Sequence, residues 1–458
     1  MLSINGGRPS VEHKAIKTSV LHGLILLPEQ GKTRARRVFD TIIPIDATGG
    51  SVNVTMSRIG APPEETPWHC AHLAASASLR LEAGSPTFKM RRTRRDDASD
   101  LPLVINSKTQ LKFNMNAVQF ASRDKKLALV QVPTPVISHP REVLVKVAYS
   151  GVCGTDLHII SGNFPCNPLP LTLGHEFSAT VVDFGSEVTH LTRGDRVVVD
   201  PNSGCHKCGF CHSGRPHFCT TGGFYANLGV KNHGGWAQFC LCSVEQVHKL
   251  PKEISLRVAA LAEPLSCLAH GWGLISPVPV GANILVAGAG IIGTLWVCLL
   301  HLHGHRRVTL TEINPSRRLL LKELMDDTGF QLKTPQDVQN SGANFDLIID
   351  CTGHGPAIES ALKLLDRGGK ICIFGVAPPG AKIEVSPFEV YMKELTILSV
   401  KVNPFAFPKA VALVQALSEK YLDYEKLGVK VFELEDFPRA VELLKTGNIT
   451  KAIFQISE

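Results

Sequence analysis

No internal repeat runs through these 458 residues, which sets aside solenoids, propellers and other arrays. A cleavable signal and a lipidation motif are also missing, so a secreted or lipid-anchored protein is not expected. Nor is there a basic stripe where nucleic-acid binding would need one. The formal net charge is +7, but residues 1–114 carry 16 Lys+Arg against 10 Asp+Glu, and the remainder carries 32 against 31. From Met115 onward the chain is almost neutral, without the electrostatic footprint that a phosphate backbone requires. A membrane span is poorly served too. "ILVAGAGIIGTLWVCLLHL", Ile284 to Leu302, is uncharged over 19 residues, near the minimum for a bilayer. It opens with a glycine cluster, however, and is followed by "HGHRR".

The 13 cysteines are an odd number scattered over a long chain, which argues against a disulfide framework and for a reducing, cytoplasmic setting. A mitochondrial setting is the lesser alternative, because the ten acidic residues in 1–114 do not suit a transit peptide. Four of them crowd into "GCHKCGFCHSGRPHFC". Cys205, Cys208, Cys211 and Cys219 follow C-x2-C-x2-C-x7-C, and four thiolates complete the closed tetrahedral shell of a structural zinc. The C-x3-C-P ending of bacterial iron–sulfur runs is absent. "WHCAH" offers His69, Cys70 and His72, a short cluster of a kind that is usually incidental.

Hydrophobic content of 44% with 19% charged residues describes an ordinary globular protein of two or three domains. Residues 1–114 differ from the rest. Arg clusters mix with Pro, Ser and Gly and no sustained period of 3.6 or 2 emerges, so this segment is expected to be a disordered extension. From Met115, short β-branched runs such as "REVLVKVAYSGV" alternate with Gly/Asp turns, as in a β-rich domain. From about Ala282 the rhythm becomes strand, helix, strand, which predicts a parallel sheet with crossover helices.

Within that rhythm "AGAGIIG" supplies Gly288, Gly290 and Gly293 in G-x-G-x-x-G spacing, after a strand and at the start of a helix. The next strand ends in Glu312, about 20 residues beyond the last glycine. Glycine lets backbone approach a pyrophosphate, which then faces the helix N-terminus. Glu312 would take the ribose hydroxyls of NAD and repel a 2′-phosphate, with Arg317 and Arg318 close enough to soften the preference. His301, His303 and His305 at the far end of that helix read as a solvated terminus.

A second metal is suggested by Cys153 in "GVCGTDLHI" and by His175 and Glu176 in "LGHEFSA", all in Gly-flanked turns with Asp156 and His158. "LAEPLSCLAHG" adds Glu263 and Cys267. A catalytic zinc needs about three protein ligands and one open position.

With these motifs in family order, together with "GDRVVVDP" and "HGGWAQF", residues 115–458 resemble the medium-chain zinc-dependent alcohol dehydrogenases. The branch is that of sorbitol, other polyol and L-threonine dehydrogenases. The resemblance implies an α/β fold: a Rossmann nucleotide-binding domain over 268–402 and a β-rich GroES-like catalytic domain from 115–267 and 403–458, with a zinc lobe at 205–219. It implies Cys153 and His175 as catalytic-zinc ligands, Glu176 as a ligand or close neighbour, and Glu263 reaching the zinc directly or through water. Asp156 would orient His175, and Thr155 would pass the alcohol proton toward His158. The implied cofactors are two Zn2+ per chain and NAD(H). The implied substrate is a small secondary alcohol, a polyol such as sorbitol or arabinitol, and the implied assembly is a homo-oligomer, dimer or tetramer. Oxidation of L-threonine and a redox-inactive zinc scaffold are the alternatives. Two departures stand out. Ile159 replaces a substrate-contacting tyrosine of sorbitol dehydrogenases, and "SVKVNP" lacks the Gly-Ser usual near the nicotinamide.

Overall fold

The computed structural model describes residues 114–457 except 122–125, 165–168 and 224–225, and only the backbone of five strands before them. The chain divides into two compact units, 1–114 and 115–458. In the first, Lys17–Glu29 pairs antiparallel with Lys32–Ile45, and Val52–Thr55, Ser76–Leu79 and Met90–Arg92 form a small antiparallel sheet. The expected disorder of this segment otherwise falls outside the described residues.

In the second unit the change of sequence rhythm becomes a change of sheet. A mostly antiparallel sheet runs in the order Val247–Lys249, Arg196–Val199, Phe177–Phe184, Glu142–Gly151, Lys451–Gln455, Val429–Glu433, with Phe239–Ser243 also paired to Glu142–Gly151. Glu142–Gly151 alternates buried and half-buried positions, the pattern of a strand with a core face and a more open one. The last strand, Lys451–Gln455, enters the sheet from the far end of the chain, between Glu142–Gly151 and Val429–Glu433.

Between these segments lies a six-stranded parallel sheet ordered Gln331–Lys333, Val308–Thr311, Ile284–Ala287, Phe345–Asp350, Leu365–Ile373, Thr396–Ser399. Ile284–Ala287 and Val308–Thr311 are buried throughout, as strands covered on both faces must be. Ile284 to Leu302 is thus a buried strand, a glycine turn and the helix Ile291–Leu302. Among the described residues no helix is long and apolar enough to cross a membrane. The helix Ala262–Ile275 runs through the expected boundary at 267/268. The passage from one sheet to the other is therefore a continuous helix rather than a linker.

Candidate metal centres and nucleotide site

The strand Glu142–Gly151 delivers Cys153 to the N-cap of the helix Gly154–Ile160, where the Cys153 N–H donates to Oδ2 of Asp156 at 2.8 Å. His175 and Glu176 occupy the turn before Phe177–Phe184. That turn is tight for a visible reason. Gly174 has φ +90°, and a Cβ there would stand 2.2 Å from Cδ1 of Trp236, so only glycine fits. The Trp236 Nε1–H in turn donates to the Gly151 carbonyl at 3.1 Å. One donor atom each from Cys153, His175 and Glu176 lies within 4.8 Å of the others. Tetrahedral zinc with bonds of 2.0–2.3 Å separates its ligands by about 3.3–3.8 Å, so the sulfur, nitrogen and oxygen set fits such an ion.

Asp156 is wholly buried, and its Oδ1 lies 3.5 Å from Nδ1 of His175. Neither atom has a hydrogen-bond partner, so the carboxylate faces one ring nitrogen and leaves the other for a metal. Burial would lower the His175 pKa, but Asp156 and Cys153 hold it well above the usual value. Glu176 shares its buried Oε2 with Nζ of Lys451. Glu263 is buried nearby, its carboxyl pushed up to about 8 by burial and by the charge of Glu176, yet it is not one of the three clustered residues. Oε1 of Glu263 lies 3.8 Å from Sγ of Cys267, whose thiol burial pushes well upward. Thr155 and His158 sit half-buried on the helix that Cys153 caps. Ile159, on the same helix, is 1% exposed and packs in the core with Trp236 and Leu171.

The other cysteines form a second group: the sulfurs of Cys205, Cys208, Cys211 and Cys219 all lie within 4.8 Å of one another. The backbone is shaped to allow it, since a Cβ at Gly204 would stand 2.8 Å from Sγ of Cys211. Burial would raise the Cys219 thiol, but the N–H groups of Thr221, Cys205 and Gly222 bring it down to about 5, favouring the thiolate that a metal needs. All eleven described cysteines are free. His69, Cys70 and His72 lie outside the described residues.

In the parallel sheet, Ile284–Ala287 runs into Gly288 at φ +98°, and Gly290 caps the helix Ile291–Leu302. A Cβ at Gly293 would stand 1.9 Å from the Gly288 carbonyl oxygen, whereas one at Gly290 would meet nothing within 4 Å. The first closes helix onto strand, and the second leaves backbone open to a ligand. Glu312 accepts from the N–H of Ala289 (3.1 Å) and of Asn314 (2.8 Å), and Nη1 of Arg317 pairs with it at 3.0 Å. A carboxylate offers about four acceptor positions, so room remains for about one ribose hydroxyl rather than two. The three histidines at the end of this helix diverge. His301 bonds Tyr421, His303 stacks on Trp272 and His305 is buried, while positions 302–304, 306 and 307 are exposed, so the terminus is solvated as expected except at His305.

Two residues with visible structural partners carry no sequence motif. Lys451 is a lone lysine in an apolar strand. Asn403 is a buried hub beside a cavity of about 370 Å³ that Asp200, Asn202, His217 and His248 also line. Only buried position, visible in coordinates, distinguishes them.

Comparison with known proteins agrees with this geometry. Residues 139–252 match the alcohol dehydrogenase GroES-like domain family, and residues 292–416 match the zinc-binding dehydrogenase family. D-altritol 5-dehydrogenase of Agrobacterium fabrum is 33% identical over 67% of this chain and 89% of its own length. D-arabinitol dehydrogenase 1 of Uromyces fabae is 30% identical over 74% and 97%. L-threonine 3-dehydrogenase of Mesorhizobium japonicum is 30% identical over 74% and 98%. A zinc-binding dehydrogenase from Sinorhizobium meliloti, bound to NADP, superposes with a TM-score of 0.69 at 30% identity, covering 75% of this chain and all of that one. The chain belongs to the medium-chain zinc-dependent alcohol dehydrogenase family. It is an oxidoreductase acting on CH–OH groups, built from a GroES-like and a Rossmann domain.

Proposed function

We propose that the protein oxidises a secondary alcohol, a polyol, to a ketone and transfers the hydride to NAD. The observation that carries this reading is the sulfur–nitrogen–oxygen cluster of Cys153, His175 and Glu176 in the same compact unit as an open glycine turn. Cys153, His175 and Glu176 would hold a zinc that, when bound, would supply a Lewis acid easing loss of the alcohol proton, and a bound nicotinamide would supply the hydride acceptor. The residues do the rest. Asp156 fixes the His175 ring. Thr155 Oγ1 would accept the alcohol proton as its own hydroxyl proton moves on, by way of the nicotinamide ribose, to His158, which gives a proton to solvent. Gly288, Gly290 and Gly293 bring backbone to the pyrophosphate, and Glu312 takes a hydroxyl of the adenosine ribose. Glu263 reaches the metal directly or through water. The four-cysteine group holds a second zinc that staples the lobe. Polyol substrates are favoured by the altritol and arabinitol dehydrogenases among the relatives. L-threonine is the second reading, favoured by the threonine dehydrogenases.

The catalytic domain is taken as 115–267 with 403–458, around 268–402. Residues 1–114 lie outside this unit, since three quarters of the chain covers the relatives almost end to end. A reducing cytoplasm suits the free thiols. Association of like chains is favoured by the parallel sheet's last strand, Thr396–Ser399, which among the described residues pairs on one side only. Phe388, Tyr391, Met392 and Ile397 are exposed on this strand and on the helix Pro387–Lys393 before it. An unpaired edge among apolar side chains is a template for a second copy.

NADH absorbance on a panel of polyols, L-threonine and simple alcohols tests the proposal. Turnover of a polyol supports it, turnover of L-threonine alone selects the second reading, and no turnover leaves the scaffold alternative.

A further inference from the structure

Val402 holds φ +47°, a left-handed conformation that a β-branched residue adopts only when its surroundings impose it. The next residue is firmly anchored. Asn403 is 1% exposed and every polar atom of its side chain is engaged. Its Oδ1 accepts from Nδ2 of Asn202 at 2.8 Å, and its Nδ2 donates to Oγ of Ser266 at 2.7 Å and faces Oδ1 of Asp200 at 3.4 Å. Ser266, wholly buried, donates onward to the backbone carbonyl of Glu263 at 2.6 Å. The bonds run in one direction, Asn202 to Asn403 to Ser266 to Glu263, with each donor and acceptor matched.

This chain of bonds joins separate parts of the fold. Asn202 follows the catalytic-sheet strand Arg196–Val199, and Asn403 follows the last strand of the parallel sheet. Ser266 and Glu263 share the first turn of the helix Ala262–Ile275. The loop is pinned on both sides of Asn403, with Lys401 over the Phe218 ring and Phe407 stacked on His248. A buried polar network with every member satisfied fixes one arrangement, and removing one member leaves the others unpaired.

We propose that Asn403 is a positioning residue for the oxidation: through Ser266 it sets the first turn of Ala262–Ile275, and with it the reach of Glu263 toward the Cys153–His175–Glu176 cluster. The inference rests on the dehydrogenase reading of that cluster. Asn403 itself touches no reacting atom.

The test is a double-mutant cycle of Asn403→Ala and Ser266→Ala, read two ways. Turnover of the alcohol is measured with saturating NAD, and the visible spectrum is recorded with Co2+ in place of zinc, where the bands report ligand geometry. Each single variant should lower kcat about 10–100-fold, the usual cost of losing a group that orients a metal site, with KM for NAD within about twofold. Each should also shift the cobalt bands. The double variant should be no worse than the poorer single one, because both interrupt one chain of bonds. Additive losses, unchanged kcat, or cobalt bands identical to wild type would overturn the proposal. If Asn403→Ala fails to fold, Ser266→Ala decides alone, since it removes one hydroxyl and little volume. If wild type oxidises no alcohol, the functional reading fails, and the cobalt bands still decide whether Asn403 positions the site.

Discussion

Nζ of Lys451, on the last strand of the chain, is ion-paired with Oε2 of Glu176, and neither side chain is more than 3% exposed. The pair ties the C-terminal strand to the metal cluster. A Cβ on Gly151 would stand 2.3 Å from that same carboxylate oxygen, so backbone closes over the pair. Breaking a buried ion pair from one side strands the other charge, at a cost of about 3–5 kcal/mol, whereas removing both partners is often nearly neutral. Lys451→Met should therefore lower the denaturant midpoint sharply, and Lys451→Met with Glu176→Gln should recover most of the loss. Equal stability of single and double variants would mean that the Glu176 charge is neutralised by another partner, such as a metal at the cluster.

Cofactor preference should follow the Glu312–Arg317 pair. The wild type should prefer NAD, because a 2′-phosphate would meet the Glu312 carboxylate. Glu312→Ala removes that repulsion and frees the Arg317 guanidinium, so kcat/KM for NADP should rise relative to NAD. One charge-assisted hydrogen bond is worth about 1.5–3 kcal/mol, or about 10–150-fold. Arg317→Ala should move the ratio the other way. Unmoved ratios in both variants would place the ribose elsewhere.

His248 should make the fold acid-sensitive. Burial, and then His190, lower its pKa to about 4, against about 6.5 in the unfolded chain. Between those values the unfolded chain binds a proton that the folded protein refuses. The stabilisation is thus complete above about pH 6.5 and is lost as pH falls toward 4, on the order of 1–3 kcal/mol. His248→Phe keeps the ring stacked on Phe407 and removes the titration, so its melting temperature should fall less between pH 6.5 and 4.5. Parallel pH profiles would show that His248 does not contribute.

The four-cysteine lobe should depend on its metal. Structural zinc contributes roughly 10–16 kcal/mol of apparent binding energy in finger peptides, more than a short polar loop gains from packing. Cys211→Ser should release one zinc, and local proteolysis between Gly204 and Cys219 should precede any change in chemistry. Wild-type protease resistance in Cys211→Ser would show that the cluster does not hold the lobe.

The parts of the site legible in the sequence were those that chemistry confines to short spacings. Thiolates two residues apart, adjacent His175 and Glu176, and Gly288 and Gly293 around a turn are local constraints, and the structure brings each group together. Long-range partnerships were not legible. Lys451 reaches Glu176 across 275 positions and Asn403 reaches Ser266 across 137, and neither residue differs in sequence from an ordinary strand lysine or loop asparagine. Glu312 shows the intermediate case. Its place after the strand is local and readable, but its engagement by Ala289, Asn314 and Arg317 depends on how loop and helix pack. Polarity read the end of the helix Ile291–Leu302 correctly as exposed, but the ring partners of His301 and His303, Tyr421 and Trp272, come from distant segments and were not readable.

The central claim is that alcohol oxidation takes place at the Cys153–His175–Glu176 cluster and needs the metal held there. The most direct measurement is the rate of NADH formation by Cys153→Ser on an alcohol that the wild type oxidises, with protein of verified zinc content. The account predicts a folded protein that keeps the lobe zinc, about one per chain instead of two, and forms no NADH above background. A variant that forms NADH at a rate close to wild type would contradict it.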